Sequence, residues 1–162
     1  MPDPKASRPH MPGYGLKAEN EGKGLLPWSW ARERLERSHN YWLSTVTPEG
    51  APHCMGVWGL WIEDKFYFST GRKSKKAHNL AHNARCVLST ENAAEAVIVE
   101  GEAALDPDPK ALKRIAPAYN AKYHYGDVGE MDEPVYVVTP RVVFGLVEGS
   151  MVGTATRWTF ES

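Results

Sequence analysis

The sequence predicts a mainly β domain, a closed or partly closed antiparallel barrel with a few peripheral helices. Three observations carry the prediction. Six or seven short stretches are rich in β-branched and aromatic residues and are bounded by turn residues. These stretches follow one another in hairpin order. The 162 residues are 42% apolar and 24% charged, the balance of one ordinary globular domain. A chain of this size can bury roughly two-thirds of its unfolded surface without a metal or disulfide staple.

The elements follow in order. Residues 1–27 hold five Pro and four Gly among small and charged residues. They read as a flexible N-terminal arm, ordered only where it lies on something else, ahead of a single domain over residues 28–162. Trp28 to Arg37 reads as a helix, entered at Pro27. Tyr41 to Thr47 reads as a strand, closed by the turn Pro48-Glu49-Gly50. Ala51 to Ile62 reads as one longer strand. Gly56 and Gly59 within it mark bulges or a place where something approaches the backbone. After a turn at Glu63-Asp64, Lys65 to Thr70 completes an antiparallel meander. Lys73 to Asn83 is a short helix, and Arg85 to Thr90 and Ala96 to Leu105 are strands. Asp106-Pro107-Asp108-Pro109 stops the chain before a helix over Lys110 to Tyr123, with a kink expected at Pro117. Tyr123 to Pro134 reads as a loop, and Val135 to Val147 as strand interrupted at Pro140. Thr154 to Phe160 is the last strand.

Composition narrows the function. Nineteen basic against twenty acidic residues give a net charge of −1, which offers no global basic field for nucleic acid. No apolar run approaches the roughly 20 residues of a membrane span. The first residues, MPDPKASRPH, lack the apolar core of a signal peptide. Two cysteines, Cys54 and Cys86, do not make a secreted disulfide framework, so a reducing cytoplasm is the expected home.

Charge is balanced globally but not locally. Four basic residues fall within Arg72-Lys73-Ser74-Lys75-Lys76, between a strand ending in Ser69-Thr70 and the start of a helix. A helix N-terminus presents unpaired amides of positive polarity, and lysines there repel the dipole. A bound anion resolves the conflict by taking both the amides and the lysines. The turn therefore reads as a phosphate site; a solvated basic turn is the plain alternative.

Several motifs now combine. Tyr41-Trp42-Leu43-Ser44-Thr45-Val46, Pro48-Glu49-Gly50-Ala51-Pro52-His53, Val57-Trp58-Gly59-Leu60-Trp61, Phe66-Tyr67-Phe68-Ser69-Thr70, Ser74-Lys75-Lys76-Ala77-His78-Asn79-Leu80, Val97-Ile98-Val99-Glu100-Gly101 and Ala155-Thr156-Arg157-Trp158 occur in this order and spacing. Over about Leu25 to Phe160 the chain resembles the flavin and deazaflavin split-barrel superfamily, the pyridoxamine 5'-phosphate oxidase-like proteins. The resemblance implies a six-stranded antiparallel split barrel and a homodimer. It also implies a cofactor, FMN or coenzyme F420, in a groove at the subunit interface, and hydride transfer with a small conjugated organic substrate. Ser74, Lys75 and Lys76 match a triplet that grips the cofactor phosphate, with lysine standing where an arginine is usual. Met55, Gly56, Val57, Trp58, Ser69 and Thr70 match the segments that edge the ring and its side chain. Arg157 and Trp158 match the last-strand end of the site.

The match is incomplete. The oxidases of vitamin B6 carry an arginine and a histidine at positions that are Gly153 and Ala155 here, and a flavin-contacting glutamine falls at Ala96. The resemblance thus points away from vitamin B6 oxidation. The Leu25-Leu26-Pro27-Trp28 entrance, the Tyr41-Trp42-Leu43 strand and the final Ala155-Thr156-Arg157-Trp158 look more like an actinobacterial branch that includes F420 users.

Hydride transfer is performed by such a cofactor, so no acid–base dyad is required and none is evident. Trp58, Trp61, Tyr123 and Tyr125 are candidate walls of a substrate pocket, with core or interface packing as the alternative for each. Trp28 and Trp158 are further candidates for interface packing. His124 is a candidate proton donor. His78 and His82 share a helix face and Cys86 follows, but no fourth zinc ligand is nearby. His53 and Cys54 are neighbours on a strand, so their side chains point apart and make no nucleophile pair. A non-enzymatic flavin, haem or tetrapyrrole carrier or sensor of the same fold is the competing function. A haem carrier would need an axial ligand, for which His53 and His78 are the candidates.

Overall fold

The computed structural model describes residues 2–161; Met1 of the arm and Ser162 of the domain lie outside the described residues. Strand β1 (Lys5–Ser7) lies within the arm, and helix α1 (Trp28–Arg37) has the bounds expected from the sequence. Then come β2 (Tyr41–Val46), β3 (Pro52–Val57), β4 (Leu60–Ile62), β5 (Lys65–Ser69) and α2 (Lys75–His82). Strands β6 (Arg85–Thr90) and β7 (Glu95–Leu105) lead to α3 (Ala111–Tyr123). A 3-10 turn at Val128–Glu130 breaks the loop before β8 (Val135–Val147). A short α4 (Met151–Thr154) precedes β9 (Thr156–Thr159).

The barrel closes through one shared strand. β8 pairs along one side with the whole of β7. Its other side is divided: Val135 to Val138 pair with β5, and Val142 to Gly145 pair with β9. β7 continues to β6, β6 to β2 and β2 to β3. β5 pairs with β4, and β4 joins β3 covalently through Trp58-Gly59. Counting β3 and β4 as one bent strand, the ring is a six-stranded antiparallel split barrel.

That bend corrects the expectation of one strand over Ala51 to Ile62 and of a simple meander. β3 follows β2, but β4 turns away to pair with β5. Gly59 is required at the bend because a Cβ there would overlap the Phe66 ring and lie 2.7 Å from the Tyr67 carbonyl oxygen. The β4–β5 hairpin turns on Glu63 and Asp64, both at positive φ (51° and 59°), the hand that matches strand twist.

Other boundaries differ for local reasons. Lys73 lies outside α2, which begins after the Ser74 cap. β8 runs through Pro140 without a break, with a bulge directly after the proline where the regular ladder is interrupted. There Glu100 faces Val142 and Gly101 faces Pro140, so Arg141 is the extra residue. α3 likewise continues past Pro117 as one element. The last strand starts at Thr156, after α4, rather than at Thr154.

Alternation fills the barrel. Tyr41 and Leu43 of β2, Leu88 of β6, Val97 and Val99 of β7 and Val143 of β8 are fully buried and point inward. α1 plugs one end with Trp28, Ala31 and Leu35. A second, smaller cluster sets Leu112 and Ile115 of α3 against Leu60 and Val135. This second cluster places α3 beside the bend. Among the described residues no helix is long and apolar enough to cross a membrane.

Candidate functional site

The bend at Trp58-Gly59 interrupts backbone pairing, and buried amides and carbonyls must find partners. They find them on α3. The Gly59 N–H donates to the Tyr123 hydroxyl at 2.9 Å, and Lys122 Nζ donates to the Gly59 carbonyl at 3.0 Å. Tyr123 in turn lies 2.9 Å from the carbonyls of both His39 and Gly59. Lys122 Nζ also bonds the Tyr41 hydroxyl at 2.8 Å, and that hydroxyl donates to the Leu35 carbonyl. Burial lowers the Lys122 ammonium to about 8 and raises the Tyr123 phenol to about 12. Burial also holds Tyr41 well above the usual phenol range.

Released from the ladder, the Trp58 side chain turns onto the outside of the barrel. Its ring stacks on Tyr123 with centroids 4.5 Å apart and planes 11° from parallel. Its indole N–H donates to Asn40 Oδ1 at 2.9 Å, and Asn40 Nδ2 donates to Glu91 Oε2 at 3.1 Å. The bond from the Asn40 side chain is the main reason the Glu91 carboxyl sits below its ordinary range. The Trp58 plane is thus fixed on one face and at one edge.

Beside it opens a cavity of about 590 Å³. Gly56, Val57 and Trp58 of the bent strand, Ser69 and Thr70 at the end of β5, and Lys76 of α2 all line it. These six are residues picked out by the sequence, brought together from three elements. Tyr119 of α3, with Asn40, Tyr41, Trp42 and Glu91, completes the wall.

Ser74 sits just outside this lining as the cap of α2. Its Oγ accepts from the Ala77 N–H at 3.1 Å and from the Thr70 hydroxyl at 3.2 Å, while its carbonyl accepts from the His78 N–H. Ser69 donates to the Pro134 carbonyl at 2.7 Å. The two strand-end hydroxyls therefore spend their protons inside the protein. Donors left for an anion are Lys76 and the first amides of α2, those of Lys75 and Lys76. α2 has no acidic residue in its first turn, and among the described residues Lys76 enters no ion pair. The lining combines apolar and aromatic residues with a cation that enters no ion pair among the described residues.

Other residues singled out in the sequence lie elsewhere. The Lys75 side chain is exposed and Met55 is 47% exposed; neither lines the cavity. Arg157 is half-buried on β9 and donates to Thr159 Oγ1 at 2.8 Å. Trp158 is 1% exposed, packed edge-on against Trp28 at 5.4 Å within the core. Trp61 is also core, edge-on to Trp28 at 6.4 Å. Tyr123 is buried behind Trp58, whereas Tyr125 is 69% exposed and lines a second, neighbouring cavity. Tyr119 lines the cavity and Lys122 braces the bend behind it, and neither was legible as such; Glu133 lines only the neighbouring cavity. His78 and His82 lie with ring centroids 4.7 Å apart and planes tilted by 52°, and no metal-holding group of three ligands occurs among the described residues.

Comparison with known proteins agrees with this architecture. The model of the family described as Pyridoxamine 5'-phosphate oxidase matches residues 30–146. No curated protein matches the chain. Among solved structures, a conserved hypothetical protein from Mycobacterium tuberculosis is 22% identical, with a TM-score of 0.67 over 89% of each chain. A structure titled F420 Reductase is 24% identical, with a TM-score of 0.57 over 69% of this chain and 94% of that one. A heme binding protein from Mycobacterium smegmatis is 20% identical, with a TM-score of 0.63 over 83% of this chain and 59% of that one. At these identities the likeness is one of fold.

Proposed function

The chain belongs to the pyridoxamine 5'-phosphate oxidase family, and on that premise we propose that it is a flavin- or deazaflavin-dependent oxidoreductase. The cofactor is FMN or coenzyme F420, and the substrate is a small conjugated organic molecule. The observation that carries the reading is Lys76 at the start of α2, in no ion pair among the described residues, in a cavity also lined by Gly56, Val57 and Trp58. When bound, such a cofactor supplies hydride transfer. The residues of this chain supply the rest. Lys76 and the leading amides of α2 would hold the anionic tail, Gly56 and Val57 would flank the ring, and Trp58 would shield it from water. The same reading makes the protein a homodimer, supported by the exposed Trp42 (52%) beside the cavity.

A haem carrier is the less favoured reading, since no histidine lines this cavity or its neighbour. His78 is exposed on α2, and His53 is half-buried on β3.

The test is a pair of titrations, FMN and F420 separately, followed by the cofactor absorption band. Binding of one is expected. Lys76→Ala should weaken it by about 1.5–3 kcal/mol, the range of a hydrogen bond to a charged group. Lys75→Ala should cost much less. If neither cofactor binds, or if Lys76→Ala leaves affinity unchanged, the reading falls. A bound cofactor that never exchanges electrons with any added substrate favours the carrier.

A further inference from the structure

Trp58, Tyr119, Ser69 and Thr70 line two cavities at once. The second, of about 420 Å³, lies between the β5 end, α3 and the loop before β8. Its apolar walls are Leu112, Val128, Tyr125 and Met131. The last two are large side chains left 69% and 52% exposed, as at the mouth of a binding cleft.

One polar wall stands out. Glu133 lines this cavity, and its Oε2 is buried without any hydrogen-bond partner. Buried polar atoms are nearly always bonded, and a carboxylate can only accept when ionised. Arg72 does not serve it: its guanidinium reaches the adjacent residue Asp132 instead, at 3.6 Å from its Oδ1 and 3.5 Å from its carbonyl. Among the described residues the Glu133 carboxylate enters no ion pair, so its charge is left for a donor from outside the chain.

We propose that the second cavity is the substrate compartment and takes a flat aromatic molecule bearing a cationic or neutral planar N–H group, received by the Glu133 carboxylate. This rests on the reading that the adjoining cavity holds the redox ring. Aromatic walls take the ring of the ligand, and Glu133 fixes which end enters. Trp58 and Tyr119, shared by both cavities, set the two rings beside each other. Glu133 is then a specificity-determining residue for a nitrogenous aromatic substrate.

The probes are naphthalene-2-carboxamidine and 2-acetylnaphthalene, of similar shape, the second without N–H groups. Each is titrated calorimetrically into the full chain, with and without FMN or F420. The amidine should bind at least about tenfold tighter, since its contact to the carboxylate is charge-assisted. Its binding should shift the backbone amide signals of Gly71, Val128 and Met131. Glu133→Gln should bring the two probes to near parity while leaving cofactor affinity unchanged. Equal binding by the native chain, a preference that survives Glu133→Gln, or amide shifts elsewhere would overturn the proposal. Should Glu133→Gln fail to fold, Tyr125→Ala replaces an exposed side chain and should weaken both probes several-fold without changing their ratio; unaltered affinity for both overturns the assignment. If neither cofactor binds but the amidine preference still depends on Glu133, the redox reading fails and the ligand site stands.

Discussion

The wall made by β6, β7 and β8 and the seam made by β3, β4 and β5 are built on different physics. In the wall, β7 and β8 pair from Glu95 opposite Val147 to Leu105 opposite Tyr136, and Leu88, Val97, Val99 and Val143 have no exposed surface. Backbone groups there satisfy one another, and burial of apolar side chains supplies the driving force. At the seam the ladder is broken at Gly59, so Tyr123 and Lys122 reach across from α3 to replace the lost partners. The wall stabilises the barrel; the seam leaves a concavity lined by polar groups. A site forms where regular pairing fails and side chains make up the difference.

Three substitutions sharpen or break that contrast. The largest effect is expected in the apolar interior. Trp158→Ala removes a fully enclosed ring beside Trp28 and Gly145 and should cost about 3–5 kcal/mol by urea denaturation. Cofactor affinity of the protein that remains folded should be unchanged. A large loss of affinity with little loss of stability would return Trp158 to the binding site.

Next comes the seam itself. Gly59→Ala forces a methyl into the Phe66 ring and should destabilise by about 1–3 kcal/mol. Because the shift displaces Trp58, cofactor affinity should fall as well. Equal stability and unchanged affinity would mean that the bend tolerates a side chain, and the contrast with the wall would fail.

The smallest effect is electrostatic. The ordinary Lys122 value of 10.5 is lowered to about 8 by burial. Between these values the folded chain holds fewer protons than the unfolded one, so stability rises with pH. The contribution of Lys122 is full above 10.5 and is lost as pH falls through about 8. The stability difference between the native protein and Lys122→Met should therefore grow in favour of the native protein from pH 8 toward 10. Cys86, raised to about 12 by burial, opposes the trend above its ordinary value of 9 but is common to both proteins and cancels. A difference that is flat with pH would show that Lys122 is not desolvated at the seam.

The wall was far more legible in the sequence than the seam. Arg85 to Thr90 announces itself as a short apolar run between polar ends and Trp28 to Arg37 by helix-forming composition, and both have the expected bounds. The bend at Trp58-Gly59 was hidden because Val57, Trp58, Leu60 and Trp61 all favour strand, and propensity does not say which neighbour a strand pairs with. Gly59 was the visible signal, read as close approach, though what approaches is the Phe66 ring. The cavity residues Gly56, Val57, Trp58, Ser69, Thr70 and Lys76 were recognised from motif order. Tyr119 of the same cavity, Lys122 behind the bend and Glu133 of the neighbouring cavity were not, because a lysine on a helix and a glutamate in a loop look solvated until the tertiary structure encloses them. Lys-Ala-Ser at residues 5–7 carries no periodicity at all; only a distant edge makes it a strand.

That edge has a consequence for how the chain is made. Lys5 pairs with Thr159 and Ser7 with Arg157, and the Arg8 guanidinium donates to the carbonyls of Gly153 and Ala155, each at 2.9 Å. The early segment leaves the ribosome some 150 residues before its partner exists. Until then it must wait unpaired, and its Pro-rich, charged composition keeps it from sticking to anything else. Docking of this segment therefore waits on synthesis of the final strand, which it clasps at the sheet edge.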